Sequence, residues 1–366
     1  MRFKASRDII LPAVSMIGSI VEKRQTLPIL SNMLVRVSET SINLTATDLE
    51  VGINTAVNVD TNSEGEFTLP ARKFIDICKA LPEGSVIDIE IAGDRAQIRS
   101  GRSKFTLGIL SAADYPAIEI SNAEYSFDIK EKDLKNLIDK TSFSMAQQDV
   151  RYYLNGMLIE LGTNKIKAIS TDGHRLALCE KNIAEGTIES RSFLLPRKAV
   201  MEIGRLLEYT DTEVTVELSS NLARFKVNNT IFTTKLIDGK FPDYERVIPK
   251  NCDKTAIINR ESFRNALIRA SILSSEKYKG IRVTVDDNLL KLQAHNPEQE
   301  EAEEELEVEY RNELMTIGFN VGYLLDILSA ISTDTIAIDF ADTNSSSIIR
   351  IPENSEVLYV VMPMRL

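Results

Sequence analysis

The sequence predicts an α+β protein of three similar domains, each with two helices packed on antiparallel sheets. Length, hydrophobic periodicity and an internal repeat predict it. The chain has 366 residues, enough for two or three domains that each bury a core. Segments of strong alternation are interleaved with segments of helical period. Three stretches share a strand, turn and strand pattern with a Thr/His–Asp/Asn pair: residues 31–50, 154–178 and 279–301. Anchored on Asp48, Asp172 and Asn296 they recur at a constant offset of 124 residues, close to a third of the chain. Solenoid repeats run about 20–50 residues, so this period denotes domains.

Each element follows in order from that frame. The first copy opens with a helix over 8–22, where Ile10, Val14, Ile17 and Val21 form one apolar stripe. After its hairpin, Phe74, Ile77, Cys78 and Leu81 mark a second helix opened by LPARKF (69–74), and a strand pair runs into DYPAI (114–118). The second copy repeats this with Leu134, Leu137 and Ile138 in a helix over 131–143. Val200, Ile203, Leu206 and Leu207 follow LPRKA (195–199), and the copy ends at FPDYERV (241–247). In the third, Phe263, Ala266, Leu267 and Ala270 lie in a helix over 261–273. Val321, Leu324, Leu325 and Leu328 mark its second helix, and VVMPMRL closes the chain. Polar segments near Ser121–Glu124 and Lys250–Asp253 place the boundaries, giving domains 1–123, 124–251 and 252–366.

Composition excludes several classes. Hydrophobic residues at 43% and charged residues at 27% do not fit a disordered chain, a coiled coil or a membrane protein. Tryptophan is absent and aromatics are 6%, which argues against a large aromatic cage. Cys78, Cys179 and Cys252 stand far apart and only His174 and His295 accompany them, so no zinc site is expected and the thiols suit a reducing compartment. Neither a signal peptide nor an apolar span appears, so a soluble cytoplasmic protein with no membrane partner is expected.

The net charge of −11 counts against nucleic acid as a partner on average. Its distribution says otherwise. Basic residues recur on equivalent helices: Arg7, Lys23 and Arg24; Arg72, Lys73 and Lys79; Lys132, Lys135 and Lys140; Arg197, Lys198 and Arg205; Arg260, Arg264, Arg269, Lys277 and Lys279. One such helix is an ordinary solvated face, whereas recurrence suggests a continuous basic surface. Acidic residues concentrate in NPEQEEAEEELEVEY (296–310). A basic segment with Arg99, Arg102 and Lys104 lies toward the other end of the chain, so pairing the two suits a head-to-tail contact that closes a ring.

No phosphate-binding glycine loop, HExxH helix or GxSxG elbow occurs. The strongest catalytic candidate is STDGHRLA (170–177), with Asp172, His174 and Arg175. Its repeat equivalents are Asp48 and Asn296, and only turn capping is common to Asp and Asn. No catalytic residue, metal or cofactor is therefore expected. From these residues two readings stand, a metal-dependent nucleic-acid enzyme using Asp48, Asp172 and His174 and a peptide adaptor that does not touch DNA; a third, a DNA clamp, is what the following resemblance implies.

The strings TLPIL (26–30), TATDLE (45–50), LPARKF (69–74), QDVRYYLNGM (148–157), TDGHRLA (171–177), DGKFPDY (238–244), NPEQEEAEE (296–304) and YVVMPMRL (359–366) resemble those of the bacterial DNA polymerase III beta subunits, the replicative sliding clamps. They are spread in order over the full length. The resemblance implies a crescent of three domains, two of which form a six-domain ring around duplex DNA as a homodimer in the cytoplasm. The implied partners are duplex DNA, the DNA polymerase III catalytic subunit, the clamp loader complex, and other polymerases and repair factors with short clamp-binding motifs.

The resemblance also implies site residues. DNA contacts would be Arg24, Gln148, Tyr152 and Tyr153, with Arg72, Lys73 and Lys198 as further candidates. A peptide pocket would use Arg151, Leu154, Thr171, Gly173, His174, Arg175, Leu176, Pro242, Arg246 and Val247, with Val360, Val361, Met362, Pro363, Met364, Arg365 and Leu366. Tyr278, Asn320, Tyr323 and Ser346 would extend it; a Phe is the familiar residue at the position of Tyr278. These types suit the task, because Leu, Val, Met and Pro line an adaptable apolar cleft while His174, Arg175 and Arg246 supply polar handles at its rim. The subunit interface would set Phe105 and Leu107 against Ile272 and Leu273. Around them, Lys73, Arg95, Arg102 and Lys104 would face Glu298, Glu300, Glu301 and Glu303.

Overall fold

The structure, a computed structural model, describes residues 1–21, 27–61, 63–116, 123–183 and 190–365. Its elements repeat three times. The first series is β1 (Arg2–Ser6), α1 (Arg7–Gly18), β2 (Asn32–Val37), β3 (Ser41–Thr47), β4 (Val51–Asn58), β5 (Asp60–Thr61), β6 (Gly65–Pro70), α2 (Ala71–Ala80), β7 (Val86–Ala92), β8 (Arg95–Ser100) and β9 (Ser103–Gly108). The second is β10 (Tyr125–Lys130), α3 (Glu131–Thr141), β11 (Gly156–Leu161), β12 (Lys165–Thr171), β13 (Arg175–Asn182), β14 (Arg191–Pro196), α4 (Arg197–Leu206), β15 (Glu213–Leu218), β16 (Leu222–Val227) and β17 (Thr230–Lys235). The third is β18 (Lys254–Asn259), α5 (Arg260–Ser271), β19 (Gly280–Asp286), β20 (Leu289–His295), β21 (Glu301–Glu307), β22 (Met315–Asn320), α6 (Val321–Ala330), β23 (Thr335–Phe340), β24 (Ser347–Arg350) and β25 (Val357–Val361). The two-residue β5 aside, every series is a strand, a helix, four strands, a helix and three strands.

The opening helices bury the same phase: Ile10, Ala13, Val14 and Ile17 in α1; Leu134, Leu137, Ile138 and Thr141 in α3; Phe263, Ala266, Leu267 and Ala270 in α5. They end earlier than the periodicity predicts. A Cβ on Gly18 would fall 2.4 Å from Ile75 Cδ1, so α1 packs tightly against α2 at its last residue. The second helices bury nearly the predicted face, except that Ile75 replaces Ile77 in α2, Ala199 replaces Leu206 in α4 and Ile327 replaces Leu325 in α6. The end of the predicted first helix, the start of TLPIL and part of the first boundary lie outside the described residues.

Sheet pairing shows what the repeat is for. Four antiparallel sheets have the orders β5-β1-β7-β8-β9, β10-β15-β16-β17-β4-β3-β2-β6, β14-β11-β12-β13-β25-β24-β23-β18 and β21-β20-β19-β22. In the two eight-stranded sheets, the fourth strand of one series pairs with the last strand of the next. Thus β4 meets β17 with Ile53 opposite Phe232, and β13 meets β25 with Ala177 opposite Tyr359. The remaining fourth strand, β21, and the remaining last strand, β9, are sheet edges. Packing divides the chain into two compact units, residues 1–134 with 201–236 and residues 135–200 with 237–366. Each unit holds one eight-stranded sheet and one smaller one.

The turns anchored by the repeat are built as the Asp/Asn exchange predicts. Asp48 Oδ1 accepts from the amides of Glu50 and Val51, Asp172 Oδ1 from those of His174 and Arg175, and Asn296 Oδ1 from that of Glu300. A short side-chain oxygen capping the turn is what the three positions share, though Asn296 reaches one residue further along the chain than either aspartate.

Candidate functional site

The unit of residues 135–200 and 237–366 holds a cleft of about 200 Å³ lined by Arg151, Tyr153, Leu154, Thr171, Gly173, His174, Arg175, Leu176, Pro242, Val247, Val360 and Met362. Its floor is part of a buried cluster containing Leu154, Leu158, Ile169, Leu176, Leu178, Leu194, Phe241, Tyr244 and Val360. The segment carrying Phe241 and Tyr244 is fastened by the Tyr244 hydroxyl, which donates to Glu160 Oε2 at 2.6 Å. Burial, reinforced by that carboxylate, pushes the phenol pKa up, so Tyr244 stays a donor.

One wall is the 171–175 turn. Thr171 Oγ1 accepts from the Gly173 amide at 3.0 Å and donates to the Arg175 carbonyl at 2.6 Å. Gly173 has φ +89°, which favours glycine, and a Cβ there would press on the mobile end of Arg151, 3.0 Å from Nη1. The opposite wall is the 149–154 segment. Asp149 holds Arg151 through Nε at 3.0 Å and Nη2 at 2.9 Å, and Asn155 bonds both backbone polar groups of Asp149. The Arg151 side chain, then its backbone amide, lowers the Asp149 pKa to about 2, so the pair persists in any mild acid.

Arg175 corrects an expectation. Its side chain is 9% exposed and serves as a strut rather than a rim handle. Nε reaches Asp172 Oδ2 at 3.1 Å, Nη2 the Phe143 carbonyl at 2.7 Å, and Nη1 Asp326 Oδ2 at 2.6 Å. The guanidinium also stacks 4.5 Å from the Tyr323 ring centroid and 5.4 Å from that of Phe143. With each of its three nitrogens bonded, it fixes the cleft's shape. Arg246 does not line the cleft: its side chain is 86% exposed and pairs with Asp243 at 2.7 Å. His174, exposed, remains at the rim.

The C-terminal segment enters only in part. Val360 and Met362 line the cleft, whereas Val361 is fully buried and, one residue on in the strand, faces the other side of the sheet. Beyond it the Met362 amide donates to the His174 carbonyl at 2.9 Å and the Met364 amide to the Gly318 carbonyl at 2.7 Å. Pro363, Met364 and Arg365 do not line the cleft, and Leu366 lies outside the described residues. Of the proposed extension, Tyr323 supports Arg175, Asn320 caps α6 through the Gly322 amide, Tyr278 is exposed beside Lys277, and Ser346 is half-buried. None of the four lines the cleft itself.

Among the DNA candidates, Gln148 is exposed with φ +57°, and Tyr152 and Tyr153 meet edge to face with centroids 5.8 Å apart. Tyr152 is 56% exposed, while Tyr153 lines the cleft, a position its residue type did not disclose. Arg72 and Lys73 are exposed on α2, although Arg72 donates to the Val21 carbonyl at 2.7 Å. Lys198 is half-buried and Arg24 lies outside the described residues. Much of the helix-borne positive charge is locally paired: Lys132 with Asp211, Lys135 with Asp139, Arg205 with Glu202 and Arg269 with Glu304.

The interface candidates sit on the edge strands β9 and β21 and on or next to other elements of the same two series. Lys104, Phe105 and Leu107 lie on β9, with Arg95 on β8 and Arg102 in the turn between them; Lys73 is on α2. Ile272 is 74% exposed and Leu273 half-buried just beyond α5. Glu298 and Glu300 precede β21, which carries Glu301 and Glu303. Glu303 already pairs with Lys291 at 2.6 Å, which lowers its pKa, and Glu300 accepts from Asn296 at 2.6 Å.

Three tandem copies joined by sheet continuation, with one fourth strand and one last strand left as sheet edges, define a modular fold of the clamp class. The family models for the N-terminal, central and C-terminal domains of the DNA polymerase III beta subunit match residues 1–119, 128–243 and 245–365. The chain is 46% identical to the beta sliding clamp of Pseudomonas aeruginosa and 45% identical to that of Escherichia coli, over 100% of each chain. Solved structures agree: a P. aeruginosa DNA polymerase III beta subunit superimposes with TM-score 0.96 at 46% identity, and a Bartonella birtlesii clamp bound to griselimycin with TM-score 0.96 at 36%, each over 100% of both chains. The chain belongs to the DNA polymerase III beta subunit family, the beta sliding clamps.

Proposed function

We propose that two copies of this chain close into a six-domain ring that encircles duplex DNA without catalysis and tethers DNA polymerase III to it. The observation that carries this reading is the pair of unused edges. If β21 meets the partner's β9 as β4 meets β17, the register follows from hairpin matching. Ala302 then falls opposite Phe105, as Ile53 does opposite Phe232, and Glu303 falls opposite Lys104. The inner junction of β13 and β25 also sets Phe143 against Tyr359 at 5.7 Å. Equivalent positions at the outer junction are Ile272 and Phe105. An apolar centre flanked by Lys–Glu pairs supplies affinity and register together. The domains 1–123, 124–251 and 252–366 are the proposed ring segments.

A closed ring cannot leave an uninterrupted duplex sideways, so it needs only weak phosphate contacts, and these leave it free to slide. Gln148, Tyr152, Lys73, Arg72 and Lys198 are the proposed contacts, with Arg24. The cleft takes short linear peptides from the polymerase, the clamp loader and repair factors, its apolar floor anchoring one or two side chains. It works in the cytoplasm, where its DNA partner is. The native mass tests the assembly: twice the 40.9 kDa of one chain is expected, and a single chain at micromolar concentration contradicts it.

A further inference from the structure

One contact inside the chain predicts another across the closing seam, an inference that rests on the ring reading above. Lys140 of α3 donates Nζ to the carbonyl of Ala330, the last residue of α6. A cation there sits at the negative end of the helix and satisfies a carbonyl that has no partner within it. The shared buried phase of the opening helices matches Lys140 with Arg269 of α5, as Thr141 matches Ala270. Ala330 likewise matches Ala80, the last residue of α2.

Both residues are placed for the same pairing between subunits. Ala80 is exposed, and among the described residues no donor reaches its carbonyl. It belongs to the series that ends in the free edge β9, and Arg269 to the series that contains the free edge β21. Arg269 is held by Glu304 of β21 through Nε at 2.8 Å and Nη2 at 2.6 Å, and among the described residues Nη1 has no acceptor. At the first inner junction the matching residue is Met16, whose sulfur accepts from the Thr230 hydroxyl, so a cation is not imposed by the repeat itself.

We propose that Arg269 caps α2 of the partner subunit, donating Nη1 to the carbonyl of Ala80 of the partner subunit while Glu304 fixes the guanidinium plane. The cap adds a charge-assisted hydrogen bond at each of the two seams. Its test is the dimer dissociation constant of Arg269→Met, measured by sedimentation on dilution, in the wild-type and Glu304→Gln backgrounds. Arg269 is exposed, so the fold is retained. The dissociation constant is expected to rise about tenfold or more in both backgrounds. No rise overturns the cap. A rise seen only with Glu304 intact also overturns it, since Arg269 would then act through Glu304 alone. A wild-type chain that stays monomeric at every concentration overturns the ring reading itself.

Discussion

Ile272→Ala combined with Leu273→Ala is expected to convert the dimer to single chains at concentrations where the wild type is fully paired. Ile272 is 74% exposed in the protomer, so its removal costs the fold little and the interface much. Burying an exposed Ile or Leu side chain contributes about 1.5–3 kcal/mol, and Leu273 is already half-buried in the protomer, so the pair accounts for about 2–4 kcal/mol at each seam. That is roughly thirty- to a thousandfold in dissociation constant per seam, and a two-seam ring loses it twice. The measurement is sedimentation equilibrium with circular dichroism as the control for folding. A dimer that persists at nanomolar concentration would remove these residues from the interface.

Deleting residues 362–366 should leave the dimer intact and sharply weaken binding in the cleft. The deletion removes Met362 from the wall and with it the two backbone bonds, to His174 and to Gly318, that hold the tail in place. Loss of a wall residue together with its anchoring is worth about 2–4 kcal/mol, or roughly thirty- to a thousandfold in affinity. Griselimycin, which the B. birtlesii clamp binds, is the probe for a calorimetric titration. Unchanged affinity would take the tail out of the site. Val360 and Val361 stay in the truncated chain, so β25 and the eight-stranded sheet should survive.

These outcomes depend on features of unequal legibility in the sequence. The turns at Asp48, Asp172 and Asn296 were readable because a short polar side chain bonding nearby amides is a local device, and a constant spacing exposed it three times. The buried phase of the opening helices was readable for the same reason. Arg175 was not: its partner Asp326 lies 151 residues away, and nothing in TDGHRLA distinguishes a strut from a handle. Tyr153 was assigned to DNA beside Tyr152, yet within Tyr152–Leu154 successive side chains diverge and the second ring joins the cleft. Basic helices suggested a continuous positive surface, but carboxylates on neighbouring turns and loops offset several of them, as Asp211 does for Lys132. The pairing of β4 with β17 and β13 with β25, on which the closure argument stands, had no local signal. It emerges only when repeated units meet edge to edge.

Closure around DNA is the central claim, and topology tests it most directly. The chain is loaded onto a nicked circular plasmid by an ATP-driven clamp loader, and the complex is isolated by gel filtration and then cut once with a restriction enzyme. The account predicts retention on the circle and loss from the linear molecule within the time needed to slide to an end. Equal retention on both forms, or equal loss from both, would contradict it.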